Sequence, residues 1–182
     1  MKFSLATGLL ALSALAPVAQ AHVTLETTQA AAGSYYKAVL RVGHGCDGAD
    51  MTRLRVRIPE GVLGVKPQPK AGWTLDLTQG KYDHPQTQHG APVESGVREV
   101  SWSGNLPDAY YDEFVLRVYL SDALKPGQTV YFPVVQECGD AVSRWIDTSG
   151  NPDVDDPAPG VKIEAPAHGA EGGHGHGHGH SH

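Results

Sequence analysis

Past its first residues this chain has no long hydrophobic run. No later segment approaches the roughly 20 apolar residues that a helix needs to span a bilayer, which excludes an integral membrane helix there. Methionine is scarce, with only Met1 and Met51, so a methionine-rich site for soft copper(I) is excluded. There is no G-x-S-x-G elbow, no Walker loop and no dinucleotide fingerprint, and no serine is specifically matched to a histidine and a carboxylate. Nucleophilic and nucleotide chemistry therefore have little footing. Basic residues are outnumbered, 14 against 20 acidic, which makes a poor partner for nucleic acid or anionic lipid and a fair one for cations. No long stretch carries a 3.6-residue period, so helices should be minor.

The start of the chain reads as an export signal. Lys2 is followed by an apolar stretch from Leu5 to Leu15 and then Ala19-Gln20-Ala21, an A-x-A cleavage site. Cleavage after Ala21 would leave 161 residues beginning at His22. Losing Lys2 would leave 13 basic residues against 20 acidic, a net charge of −7. This suits one domain with a tail, soluble after export to the periplasm. Cys46 and Cys138 are the two cysteines, and in an oxidising compartment a disulfide is the default reading over a pair of metal thiolates. Closing that loop would contribute about 4–5 kcal/mol in the chain-entropy account.

Most segments after His22 alternate with a period of two. Ala38, Leu40 and Val42 alternate with Lys37, Val39 and Arg41; Leu54, Val56 and Ile58 with Arg53, Arg55 and Arg57; Trp73, Leu75 and Leu77 with Thr74, Asp76 and Thr78. Val97–Ser103, Phe114–Leu120 and Thr129–Val135 are further candidate strands, and a last short one includes Val161 and Ile163. Turn signals such as Pro59-Glu60-Gly61 and Lys125-Pro126-Gly127 punctuate them. The pattern predicts an all-β, antiparallel β-sandwich of the immunoglobulin or cupredoxin kind over residues 22–165. Lys81–Ser95, polar and holding His84, Pro85, His89 and Pro92, reads as a long exposed loop. Asn151–Gly160 is a Pro- and Asp-rich connection.

Four features carry candidate chemistry. A mature terminal His22 offers its α-amine and ring Nδ1 to one metal in a six-membered chelate, which an internal histidine cannot do because its backbone nitrogen is a non-basic amide. The plain alternative is that a chain must begin with some residue. Arg41-Val42-Gly43-His44-Gly45-Cys46-Asp47-Gly48 is a glycine-rich loop presenting an imidazole, a thiol and a carboxylate; its plain reading is a tight turn with His44 exposed. Trp145 is either sandwich packing or a shield beside a metal. Glu26, roughly 13 Å from His22 along a regular strand at about 3.3 Å per residue, is a weak ligand. The tail over residues 166–182 carries His168, His174, His176, His178, His180 and His182, the last five alternating with glycine or serine. It cannot bury a core and is expected to be disordered, and its imidazoles suit copper, zinc and nickel. An added tag is the alternative, although tags are usually runs of consecutive histidines.

Ala21-His22-Val23-Thr24-Leu25, Ala32-Gly33-Ser34-Tyr35, Arg41-Val42, Leu54-Arg55-Val56-Arg57-Ile58-Pro59-Glu60-Gly61, Gly72-Trp73, Ser101-Trp102-Ser103-Gly104 and Trp145 stand in this order. As an ordered set they resemble the YcnI-like copper-binding proteins. The resemblance implies an exported β-sandwich that binds copper(II) through a monohistidine brace: the amine and ring of the first histidine, a carboxylate, and a nearby tryptophan. His22 takes the brace role and Trp145 the tryptophan role. The family's glutamate has no counterpart after Arg41-Val42, where Asp47 or His44 would have to supply the remaining donor. Some relatives carry a C-terminal membrane anchor; here the histidine tail stands in that place, and no anchor is expected. The implied function is copper sequestration, trafficking or delivery without catalysis, with copper ions and other periplasmic copper chaperones or copper importers as partners. The rival is a copper-dependent polysaccharide oxygenase with His44 as second histidine. A third reading is a structural or adhesive sandwich with metal affinity only in its tail.

Overall fold

The structure, a computed structural model, describes residues 22–166. The proposed leader and tail histidines lie outside the described residues. Twelve strands follow in chain order: β1 (Thr24–Leu25), β2 (Gln29–Ala31), β3 (Ser34–Val42), β4 (Met51–Arg57), β5 (Val62–Pro67), β6 (Thr74–Gln88), β7 (Ala91–Leu106), β8 (Asp112–Leu120), β9 (Thr129–Tyr131), β10 (Val134–Cys138), β11 (Ala141–Trp145) and β12 (Gly160–Glu164). They form a four-stranded sheet in the order β1-β3-β8-β5 and a five-stranded sheet in the order β11-β10-β4-β7-β6. A three-stranded sheet, β2-β12-β9, contains one parallel pair, β2 with β12; the remaining ladders are antiparallel.

The period-two pattern generates the core directly, because alternate side chains of a strand share a face. On β3 and β8 the inward positions Ala38, Leu40, Leu116 and Val118 are fully buried, and β4 turns Leu54 and Val56 to meet them. Trp102 of β7 is also fully buried, edge-on to Phe114 at 5.4 Å, and its indole N–H donates to the Gln68 carbonyl. Trp73, only half-buried, packs against the same Phe114 at 5.0 Å. Two outward arginines of β4 find partners on β7: Arg53 donates to the Ser101 hydroxyl at 3.2 Å, and Arg55 holds Glu99 through two bonds of 3.0 Å.

Two expectations are corrected. Leu77 is exposed, because β6 is the outer strand of its sheet and the sandwich does not cover it there. Lys81–Ser95 is no loop: β6 and β7 stay paired from Lys81↔Ser95, past a bulge, to Gln88↔Ala91. This arm lacks an apolar alternation because most of it extends beyond the main core; strand pairing and a small cluster of Tyr82 and Val93 with Leu63 and Tyr119 hold it. His89 and Gly90, both left-handed with φ of 51° and 79°, close it as a two-residue hairpin. Pro85 is tolerated because β6 has a free edge.

Cys46 and Cys138 are joined, both 2% exposed, with Cα atoms 5.8 Å apart. The bond ties the loop after β3 to the end of β10, across 92 residues of sequence. Replacing both cysteines by alanine is expected to lower the unfolding free energy by about 2–5 kcal/mol, read from urea denaturation.

Tyr36 donates its hydroxyl hydrogen to the Thr27 carbonyl, and burial, reinforced by the charge of Glu26, pushes its pKa from 10.0 up to about 12. A tyrosine whose folded pKa is raised binds its proton more tightly than in the unfolded chain. Its contribution is therefore intact below pH 10.0 and lost as the pH climbs towards about 12. Tyr36→Phe is expected to flatten the fall of Tm over that interval.

Candidate functional site

Three chain segments converge at the end of the sandwich where β1 begins. Thr24 pairs with Arg41 and Leu25 with Leu40, so the register continued two residues back sets His22 opposite Gly43. The Pro- and Asp-rich connection after β11 returns along Ile146 and Asp147, whose amides both donate to the Asp156 carbonyl. That return brings the Asp155 carbonyl oxygen to 3.0 Å from His22 Nε2. A carbonyl only accepts, so Nε2 is the donor, and in the neutral ring the free lone pair is on Nδ1. Trp145, the last residue of β11, meets the His22 ring edge-on at 5.1 Å and an interplanar angle of 83°. Nearby carboxylates in the connection, Asp153, Asp155 and Asp156, give this end a negative field that favours cations. The Asp147 carboxyl is held below its ordinary range by the Ser149 hydroxyl and amide, which bond its charged form.

Trp145 is itself held from below. Its indole N–H donates to Oε1 of Gln136 at 2.5 Å, while Gln136 Nε2 donates to the His44 carbonyl at 3.1 Å and sits 3.6 Å from Met51 Sδ. Gln136 is 1% exposed and faces inward on β10 between Val134 and Cys138. Sequence reasoning missed it. The signal was present in the alternation of Val134, Gln136 and Cys138, where a polar residue takes a core position and must then find partners.

The loop after β3 is ordered by other means. Cys46 and Ala49 exchange backbone hydrogen bonds around a two-residue turn, in which Asp47 and Gly48 are left-handed at φ of 50° and 80°. Asp47 is therefore an exposed turn residue, and among the described residues its side chain makes no hydrogen bond or ion pair. His44 donates from Nδ1 to the Gly45 carbonyl at 2.6 Å, and Asp108 Oδ1 lies 4.0 Å away while accepting from the Gly45 amide. Glu26, the weak candidate, is engaged by Arg41 at 3.1 Å.

Thus the structure brings together His22 and Trp145, and it joins both to the His44 backbone through Gln136. It does not bring the side chains of His22, His44 and Asp47 into one cluster: among the described residues no three His, Cys, Asp or Glu side chains lie close enough to share a metal ion. The donor set that fits a metal here is two nitrogens of one residue, Nδ1 of His22 and its α-amine when the chain begins there. Nε2 is anchored on the Asp155 carbonyl, as outer partners orient the imidazole in metal sites that use histidine.

Gln136→Leu would strip a part-buried indole N–H and a part-buried carbonyl of their partner. The expected loss is about 1–3 kcal/mol in urea denaturation. The near-UV circular dichroism of Trp145 should weaken with it, identified by difference against Trp145→Phe.

A solved structure from Nocardia farcinica, of an uncharacterized protein with an immunoglobulin-like fold, is similar at 23% identity with a TM-score of 0.57, covering 79% of this chain and 99% of that one. The likeness establishes the immunoglobulin-like architecture. A cohesin–dockerin complex from Clostridium thermocellum is more distant, at 12% identity and a TM-score of 0.41, covering 78% and 97% of the two chains. No curated protein sequence matches the chain significantly. A family model described as a domain of unknown function (DUF1775) matches residues 22–163, nearly the whole sandwich beginning at His22, and the chain belongs to that family.

Proposed function

We propose that this protein is an exported, periplasmic copper(II)-binding protein of the YcnI-like kind, acting in copper sequestration, trafficking or delivery rather than catalysis. The observation that carries the reading is the His22–Asp155 hydrogen bond, which commits Nε2 as donor and leaves Nδ1 for a chelate with the α-amine. A family match that starts at His22, the residue exposed by cleavage after Ala21, supports the same reading. Trp145 would cover one side of the ion and keep bulk water from it. An amine and an imidazole are borderline nitrogen donors, suited to copper(II) over the alkaline-earth ions. Copper is here the cargo, and the tail histidines, with copper, zinc or nickel on them, would raise its local supply.

The rival oxygenase reading asks for a second imidazole beside His22. His44 is directed to Gly45 and Asp108, which gives that reading less support. If it were right, copper-loaded protein with a reductant would release oxidised sugars from glycans; consistent absence of such products over several glycans is the expected result.

The decisive comparison is between a protein running from His22 to Pro166 and the same protein with one residue added before His22. The first is expected to take up one copper(II) with a nitrogen-rich electron paramagnetic resonance spectrum. The added residue turns the amine into an amide, and both the spectrum and the affinity should change. Identical spectra from the two proteins would overturn the brace.

A further inference from the structure

Away from the His22 end, the outer face of the four-stranded sheet carries a row of three cations. Arg117 on β8 is directly opposite Lys37 of β3 on one side and Lys66 of β5 on the other. Directly opposed residues share a face, and like charges so placed destabilise a sheet. Elsewhere the chain pairs cations with carboxylates: Arg41 with Glu26, Arg55 with Glu99, Lys70 with Asp112 and Arg98 with Glu60. Among the described residues no carboxylate pairs with Lys37, Lys66 or Arg117, in a chain with an excess of acid.

The central cation is also held in place. The Arg117 guanidinium lies 3.7 Å from the centroid of the Tyr35 ring. The Tyr35 hydroxyl is 3.0 Å from Nε2 of His89, at the tip of the β6–β7 arm, and the His89 ring packs 4.6 Å from that of Tyr119. Tyr119 donates in turn to Asp122. The arm folds its tip across to the other sheet, and one result is an Arg117 backed by ordered aromatic rings. Beside it is a cavity of about 310 Å³, lined by Lys37, Lys66, Arg117, Gln68, Val115 and Tyr35.

We propose that this row is a binding site for a compact multivalent oxyanion, one carrying phosphate or several carboxylate groups. An ordered guanidinium offers two parallel N–H donors to such a group, while flanking ammonium groups supply charge without fixed geometry. The cavity has the size of a small-molecule site at the low end of the usual range. The row is five residues along β3 from Val42, roughly 17 Å at about 3.3 Å per residue, so it is separate from the His22 site. The repulsion within the row is then the stored cost of a site that the ligand relieves.

The test uses the mature protein, with inorganic phosphate and citrate as probes and sodium chloride at matched ionic strength as control. Nuclear magnetic resonance should show saturable shifts at Arg117 Nε–H and at the Lys37 and Lys66 side chains with phosphate, citrate or both, and none with chloride. Binding of one probe alone tells phosphate from carboxylate recognition, and binding of both marks a site that takes either. Arg117→Gln should weaken the affinity at least about tenfold. Lys66→Gln should raise the Tm of the anion-free protein and reduce the Tm gain on adding the anion. Shifts that fail to saturate, that keep the same midpoint concentration in Arg117→Gln or that chloride reproduces would overturn the site. So would a Lys66→Gln protein with no gain in anion-free Tm and an unaltered response to anion.

Discussion

A primary amide removed from water must keep its hydrogen bonds or lose about 1–3 kcal/mol for each group left bare, and Gln136 meets that demand in a way that builds the candidate site. Its oxygen takes the Trp145 indole hydrogen and its nitrogen reaches the His44 carbonyl, so two segments far apart in sequence share one side chain. Trp145 then has a fixed edge for His22 to pack on. The disulfide two residues along β10, between Cys138 and Cys46, holds the same loop from the other side. Together with the Cys46–Ala49 turn and the Gly45 bond to Asp108, these two tethers set the path of the glycine-rich segment from Gly43 to Gly48.

The site so formed is unusual in using a strand start and a long connection in place of a ring of side chains. His22 is positioned by the β1–β3 register, by Trp145 and by a backbone carbonyl. Such a site is pre-arranged on the imidazole side. The proposed chemistry therefore turns on a covalent event, removal of the leader, that converts an amide nitrogen into an amine. At the other end of β3 the logic is the opposite: full-length side chains, Arg117 between two lysines, are set out on a rigid sheet face with no internal charge to satisfy them.

Much of the fold was legible in the sequence, since a half-buried strand must alternate. Leu54, Val56 and Ile58 against Arg53, Arg55 and Arg57 named the buried and outward faces of this strand correctly, and the pair of cysteines named their bond. The β6–β7 arm was illegible because a ribbon that leaves the main core buries only a few apolar residues, Tyr82 and Val93 among them, too few to write an alternation; its polar residues and prolines look the same as a loop. Leu77 misled for the complementary reason, keeping the alternation on an outer strand that the second sheet does not reach. For the site, a histidine after a cleavage motif and a downstream tryptophan stood out by residue type. Gln136 did not, although it broke an apolar alternation.

The sequence by itself determined the period-two pattern, the placement of His22 after a cleavage motif, and the pair of cysteines. Each depends on local chemistry or on neighbours within a few residues. Tertiary structure alone decided that Asp155 offers its carbonyl to His22 across 133 residues, that Gln136 joins Trp145 to His44, and that Lys37, Arg117 and Lys66 fall in one row. Strand order and register set those meetings, and they follow from how the whole core packs, which no single segment encodes.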